Sequence, residues 1–362
     1  MLTSKTFWFM LLINPKRFGK RVQVRVTIKD VAKKVNLSVT TVSRALHDHD
    51  DVNPQTKKRI IEAAKEMGYT PNIFAQRLQK QSADAIGLVL PTFSPRFADP
   101  FFSELLAGIG NKAAELGFDL LVSTRAPGEQ EIETYKNLID GKRVDGFIIV
   151  RTRVFDPRIE YLISQNFDFV AFGRSESSTD YAYVDEDGYF GMQLIAEHVA
   201  ELGHTQIGCI TSNPDLNFTR YRMMGLQDSL SKHHITLNEK YIRIGDLTQK
   251  SGYEQTLELL QSPDPPTAIV AFNDLMAFGA MSAAQELGLT VGHDLSVTGF
   301  DDIPMAEFSH PSLTTVSQPV YKIGSLLCEM LIHKILGEPE DRQQIVLKPL
   351  LEKRNSTSYI RS

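Results

Sequence analysis

The chain has almost no cysteine. Two stand in 362 residues, Cys209 and Cys328, far apart and each in an apolar run. A disulfide framework is excluded, and isolated thiols of this kind fit a reduced, cytoplasmic compartment. Long apolar stretches are missing too: no window reaches the ~18 uninterrupted apolar residues of a membrane span. Of the nine histidines, no pair sits at metal-ligand spacing, and neither cysteine has a partner cluster. There is no nucleophile elbow, no pair of catalytic carboxylates and no phosphate-binding P-loop. These absences set aside disulfide scaffolds, membrane proteins and the common hydrolytic and nucleotide-driven enzymes. They call for no metal and no cofactor.

What is present is an ordinary globular composition, 42% hydrophobic and 23% charged, on a chain long enough for two or three domains. The net charge of -5 hides an uneven distribution. Residues 1–20 hold four Lys/Arg and no acid; residues 21–80 hold 12 Lys/Arg against 6 Asp/Glu, net +6; residues 81–362 are left at -15. A basic end on an acidic body is the layout of a chain that touches a polyanion at one end only, although a solvated basic surface gives the same charge pattern. The extreme N-terminus, "MLTSKTFWFMLLINPKRFGKR", has an apolar run from Phe7 to Ile13 but no small-x-small cleavage site after it. Residues 1–25 are expected to be a disordered extension, or the product of a start codon assigned too early, with translation beginning near Val24 or Val26.

Glycine and proline are scarce from Val26 to Leu46, and helical periodicity takes their place. Thr27 precedes Ile28 with Asp30 three residues on, a capping-box variant; Ile28, Val31, Ala32 and Val35 follow at helical spacing. "NLS" makes a turn, and Ser38 caps a second helix with Val42, Ala45 and Leu46 facing inward. Asn53-Pro54 starts a third, with Ile60, Ile61, Ala64 and Met67 as its buried stripe and Gly68 as its stop. Helix, short turn, helix and supporting helix make a helix-turn-helix over 26–70. Val39, Thr40, Thr41, Ser43 and Arg44 occupy the outward side of the second helix. Hydroxyls and an arginine suit a DNA groove, and they equally suit a solvated face. After Pro71, Asn72 can cap a short polar helix reaching about Lys80. From Ala85 onward short apolar runs such as "AIGLVLP", "GFIIV", "IGCIT" and "TAIVAF" alternate with amphipathic helices. The order fills roughly 85–175 and repeats over 190–300. It predicts two doubly wound α/β lobes, with parallel sheets covered on both faces and a cleft at the strand ends.

The blocks "TIKDVAKKVNLSVTTVSRAL" and "VNPQTKKRIIEAAKEMGYTPNIFAQRL" resemble the lactose-repressor/galactose-repressor family of bacterial transcription regulators. "DPFFSELLAGI", "ELGHTQIGCI", "AFNDLMAFGAMSAAQELGL", "DLSVTGFDDIP" and "LTTVSQP" extend the resemblance, in family order, over about 26–355. It implies an N-terminal all-α helix-turn-helix headpiece and a two-lobed body like a type I periplasmic-binding protein. The first lobe would take about 83–183 and 318–347, the second about 184–317 and 348–362. It implies a homodimer on palindromic operator DNA. Val39, Thr40 and Arg44 would face bases, and Thr27, Ser38, Ser43, Asn53 and Thr56 phosphates, with Thr41 on the same helix face. Segment 71–82 would be a hinge helix, with Ala75 at the close crossing and Leu78 wedging between base steps.

For the cleft, the resemblance points to Arg222, Asn273 and Asp301 as effector ligands. Arg174 would join them from the first lobe and Phe101 and Phe102 as an aromatic wall, unless that "PFF" is simply core. Arg and Asp suit such a ligand because each bridges two adjacent hydroxyls. Arg220 ranks below Arg222. Asp274 is expected to be a helix cap, Asp302 a structural acceptor and His204 a turn residue. Leu247 and Val320 stand where some relatives carry a stacking aromatic ring. The function expected is a repressor of carbohydrate-utilisation genes answering to a small sugar, an α-glucoside by general similarity around "LVLPTFSPRFADPFF"; the alternative is an exported sugar-binding transport or sensor protein.

Overall fold

The computed structural model describes residues 26–47, 50–70, 82–92, 99–177, 179–339 and 343–360. Residues 1–25 and the residues expected in a hinge helix, Asn72, Ala75 and Leu78, lie outside them. The chain divides into two compact units, Met1–Gln81 and Ser82–Ser362.

The first unit holds α1 (Ile28–Val35), α2 (Val39–Leu46) and α3 (Pro54–Glu66). The Asp30 carboxylate accepts from the backbone N–H of Thr27 at 2.8 Å and from its hydroxyl at 2.7 Å, fixing the start of α1. Ser38 caps α2 by accepting from the Thr41 N–H at 3.0 Å, and Asn53 caps α3 by accepting from Gln55 N–H at 2.9 Å. The α1–α2 turn is tight because Asn36 takes a left-handed backbone, φ 51°, which asparagine tolerates. Val31, Val35, Val42, Ala45 and Ile60 close a small core. The expected stripe of α3 needs one correction. Ile61 is 48% exposed, and Ala63 is buried in its place. Positions 60, 63, 64 and 67 share one helical face; 61 lies a further ~100° around it.

The second unit is built on two six-stranded sheets, ordered β11-β5-β4-β3-β1-β2 and β12-β10-β9-β8-β6-β7. The first contains β1 (Ala85–Pro91), β2 (Asp119–Arg125), β3 (Gly146–Ile149), β4 (Phe169–Phe172), β5 (Tyr183–Glu186) and β11 (Gln344–Leu347), all parallel. Side chains alternate across it. Ile86, Leu88 and Leu90 meet α4 (Pro100–Glu115) and α12 (Val320–Leu336) on one face; Val89, Phe147 and Ile149 meet α5 (Glu129–Asp140) and α6 (Pro157–Ser164) on the other. α4 and α12 touch through glycines: a Cβ on Gly108 would collide with the Tyr321 carbonyl.

The second sheet contains β6 (Ile207–Thr211), β7 (Ile242–Ile244), β8 (Ala268–Ala271), β9 (Ser296–Asp301), β10 (Thr314–Ser317) and β12 (Leu350–Glu352), parallel except for β10–β12. Helix α7 (Gly188–Glu201) packs on α8 (Asn217–Lys232), and α9 (Gln249–Leu260) on α10 (Asp274–Glu286). A short α11 (Met305–Phe308) follows β9. The chain passes between sheets after β5, after β10 and after β11. Coverage is incomplete at the edges: Val122 on β2 and Ile244 on β7 are exposed, because the helix layers shield the central strands.

Candidate functional site

Two surfaces carry the candidate residues. In the first unit Thr27, Ser38, Val39, Thr40, Arg44 and Asn53 are exposed, and Thr41, Ser43 and Thr56 are half-buried. Arg44 is engaged by Asp51 through both carboxylate oxygens, Nε to Oδ1 at 3.1 Å and Nη2 to Oδ2 at 2.6 Å. Both partners stay about half exposed, so the pair is open to exchange with another acceptor.

In the second unit a cleft opens between the two sheets. Phe101, Phe102, Arg174, Arg222, Asn273 and Asp301 all line it. So do residues that the sequence did not single out, among them Asp99, Arg151, Phe172, Asp185, Glu186, Asn217, Phe218 and Gln318. Phe101 stacks on Phe172 (5.9 Å, 12°) and meets Phe102 edge-on, a rigid apolar wall from the first lobe. Arg222 rises from α8. Its Cζ lies 3.6 Å over the Phe300 ring, Nη1 donates to Phe272 O at 2.5 Å and Nη2 to Glu186 at 2.8 Å; Asp301 stands 3.7 Å away. Arg174 donates to Asp185 at 2.6 Å, and Arg151 to Asp99 at 3.1 Å. Arg222 Nε and Gln318 Oε1 are buried without a hydrogen-bond partner among the described residues.

Burial pushes the Asp99 carboxyl up, partly offset by Arg151. Burial and the neighbouring Glu186 raise Asp185 well above the usual range, with Arg174 opposing. Burial raises Asp301 in the same way, against the field of Arg222. Backbone strain collects here too: Arg151, Leu247 and Asp301 have φ of 51°, 68° and 118°. Left-handed backbone is uncommon for such side chains and clusters at functional sites. The lobes also meet beside the cleft. Arg153 bridges to Leu216, Val154 N–H donates to Asp215 O at 2.9 Å and Asn217 N–H to Thr152 O at 3.0 Å.

Residues 27–72 match the bacterial regulatory proteins, lacI family, and residues 196–357 the periplasmic binding protein-like domain. The HTH-type transcriptional repressor CytR of Escherichia coli (strain K12) is 34% identical over 322 residues, covering 88% of this chain and 93% of its own. The chain belongs to the lacI family of regulatory proteins. Two solved structures align along it. The lac repressor dimer bound to operator and the anti-inducer ONPF has a TM-score of 0.82, at 29% identity over 92% of this chain and 99% of that one. The complex of the transcriptional regulator CelR with cellobiose has a TM-score of 0.71, at 29% identity over 92% and 100%. A lacI-family chain with a helix-turn-helix unit and this body is a DNA-binding transcriptional regulator, not an enzyme.

The expected helix cap at Asp274 is corrected, while Arg220, Asp302 and His204 make structural contacts as expected. Asn273, not Asp274, caps α10, accepting from Met276 N–H at 3.0 Å and donating to Leu247 O at 3.0 Å. Asp274 is fully buried one position on, where it accepts from Ile303 N–H at 2.8 Å and the Thr315 hydroxyl at 2.5 Å. Leu247 lines the cleft, whereas Val320 belongs to the core under α4 and α12. Arg220 pairs with the exposed Glu176, and Asp302 with Arg354 at 2.7 Å. His204 bonds Thr267 and Ser296 at the starts of β8 and β9 and reaches Ser358 O in the C-terminal segment. No metal-ligand cluster occurs, and no helix is long and apolar enough to cross a membrane, among the described residues. The missed lining residues share a cause. Asp99, Arg151, Asp185 and Glu186 sit at strand ends or helix starts far apart in sequence, and only the sheet order brings them together. Their one local signal is charge at the end of an apolar strand, as in "YVDE".

Proposed function

We propose that this regulator is a cytoplasmic, homodimeric repressor of carbohydrate-utilisation genes whose operator affinity is set by a small sugar held in the cleft. The carrying observation is the cleft itself. Three guanidinium groups, each fixed by a carboxylate, and a stacked phenylalanine wall converge between the lobes. Planar charged pairs suit vicinal hydroxyls, and aromatic rings suit the C–H faces of a pyranose. The cellobiose complex of a relative supports the same ligand class. The headpiece face of Val39, Thr40 and Arg44 reads bases, with Thr27, Ser38, Thr41, Ser43, Asn53 and Thr56 on the backbone. The segment holding Asn72, Ala75 and Leu78 links it to the body. The test is a mobility-shift assay with a palindromic operator at two salt concentrations, with and without mono- and disaccharides. Binding that weakens steeply with salt and changes with a sugar is expected. Operator binding indifferent to every sugar but altered by nucleobases rejects a sugar effector.

A further inference from the structure

We infer that the cleft takes an uncharged, hydroxyl-bearing effector and rejects its anionic counterparts, and that Asp99 and Asp185 set this preference. The inference rests on the cleft being the effector site. Each arginine in its described lining already has a carboxylate: Arg151 has Asp99 at 3.1 Å, Arg174 has Asp185 at 2.6 Å and Arg222 has Glu186 at 2.8 Å. A fourth carboxylate, Asp301, is left with the Gln318 amide N–H at 2.7 Å and a distant 3.7 Å approach to Arg222. Each guanidinium therefore already has an acidic partner, and a fourth acid, Asp301, stands beside them. A ligand carboxylate or phosphate entering would lose its hydration, meet guanidinium groups that each already have a carboxylate beside them, and face Asp301.

The unpaired buried atoms point the same way. Arg222 Nε needs an acceptor and Gln318 Oε1 needs a donor. A hydroxyl serves as both; a carboxylate is only an acceptor and an ammonium only a donor.

Two carboxylates of the set are open to clean substitution. Asp99 Oδ1 caps α4 by accepting from Phe101 N–H at 3.2 Å, and Asp185 Oδ1 accepts from Glu186 N–H at 3.0 Å. Asparagine keeps both of these bonds through its own carbonyl oxygen while removing the charge that holds the arginine. Asp99→Asn would release Arg151 and Asp185→Asn would release Arg174.

The experiment is calorimetric titration of the full chain with matched pairs: glucose against glucuronate and glucose 6-phosphate, galactose against galacturonate, cytidine against cytidine 5′-monophosphate, with cellobiose and maltose as larger neutral sugars. In the unsubstituted chain the bound ligand should be neutral, and its charged partner at least about tenfold weaker. Either asparagine variant, shown folded by circular dichroism, should narrow that ratio by about tenfold. Binding of glucuronate, galacturonate or a phosphate ester as tightly as its neutral partner overturns the inference, as does an unchanged ratio in both variants. Binding of cytidine but no saccharide, with the monophosphate rejected, upholds the charge rule while removing the sugar reading, so the two fail separately.

Discussion

At the scale of single residues, Arg44, proposed to face the bases, already has a partner in the headpiece. Its fork is held by Asp51 on the exposed face of the headpiece. An exposed pair of this kind is worth only about 0.2–1 kcal/mol, and a guanine or phosphate offers comparable bonds without a nearby carboxylate. Asp51→Asn is therefore expected to tighten operator binding several-fold, and Arg44→Ala to weaken it by roughly ten- to a hundred-fold, both read by fluorescence anisotropy. Weaker binding in Asp51→Asn would instead make Asp51 the residue that aims Arg44. Asp274 shows the opposite case, a charge hidden from solvent. Burial raises its carboxyl to about 7, against the bonds from Thr315 and Ile303. An acid with a raised native pKa holds its proton in the folded chain after the unfolded chain has lost it. Its contribution to stability is thus full below pH ~4 and is lost as the pH rises through about 7. Asp274→Asn should flatten the fall in stability between about pH 4 and pH 7, by at most about 1.4 kcal/mol per pH unit for one proton; parallel melting-temperature curves for the two chains would refute this. The helix caps at Ser38 and Asn53 were legible in the sequence because a cap is a local bond. The role of Asp274 was not, since its partner Thr315 lies on another strand.

At the scale of elements, the loop between β3 and α6 ties the cleft to the interior of the first lobe. Arg158 is fully buried, pairs with Asp156 at 2.6 Å and Glu131 at 3.2 Å, and donates to the Arg151 carbonyl at 3.0 Å. Arg153 closes the group on Glu131 at 2.6 Å. The same loop thus carries Arg151 into the cleft and Arg153 to the bridge with Leu216. Removing one member of a buried ion group strands the rest, at a typical cost of about 3–5 kcal/mol. Arg158→Met should destabilise the body by that order in urea unfolding. Arg220→Ala, which breaks an exposed pair, should cost under about 1 kcal/mol. Equal effects would mean that the buried group is not cooperative. None of this was readable from "RTRVFDPRIE", whose charges look like a solvated face. The strands β1, β6 and β8 were readable, because four or more consecutive apolar residues between helical stretches demand a buried parallel strand. Strands β5, β11 and β12 were not: three or four residues each, and mixed in polarity, they are placed by neighbours and not by pattern.

At the scale of the whole molecule, the proposed control is a coupling between two binding events. Its structural basis in the body is the small number of joints. The lobes are linked covalently by three segments, those after β5, β10 and β11, while the bridge of residues 152–154 to 215–217 is made of a few backbone hydrogen bonds. Rigid sheets on few joints favour a change of angle over a change of fold, as in hinge closure. A ligand touching Phe101 from one lobe and Arg222 from the other has different contacts at different angles, which is the condition for shifting an equilibrium. Thermodynamics then fixes a relation that no structural detail alters. If the sugar changes operator affinity by some factor, the operator must change sugar affinity by the same factor, typically about 5- to 150-fold. The expected result is equal factors from anisotropy of labelled operator with and without saturating sugar, and from calorimetry of sugar with and without saturating operator. The direction of both, weakening or tightening, distinguishes induction from corepression. Factors that differ, and that drift with protein concentration, would place a third equilibrium between the two sites, and dissociation of the proposed dimer is the one that concentration moves.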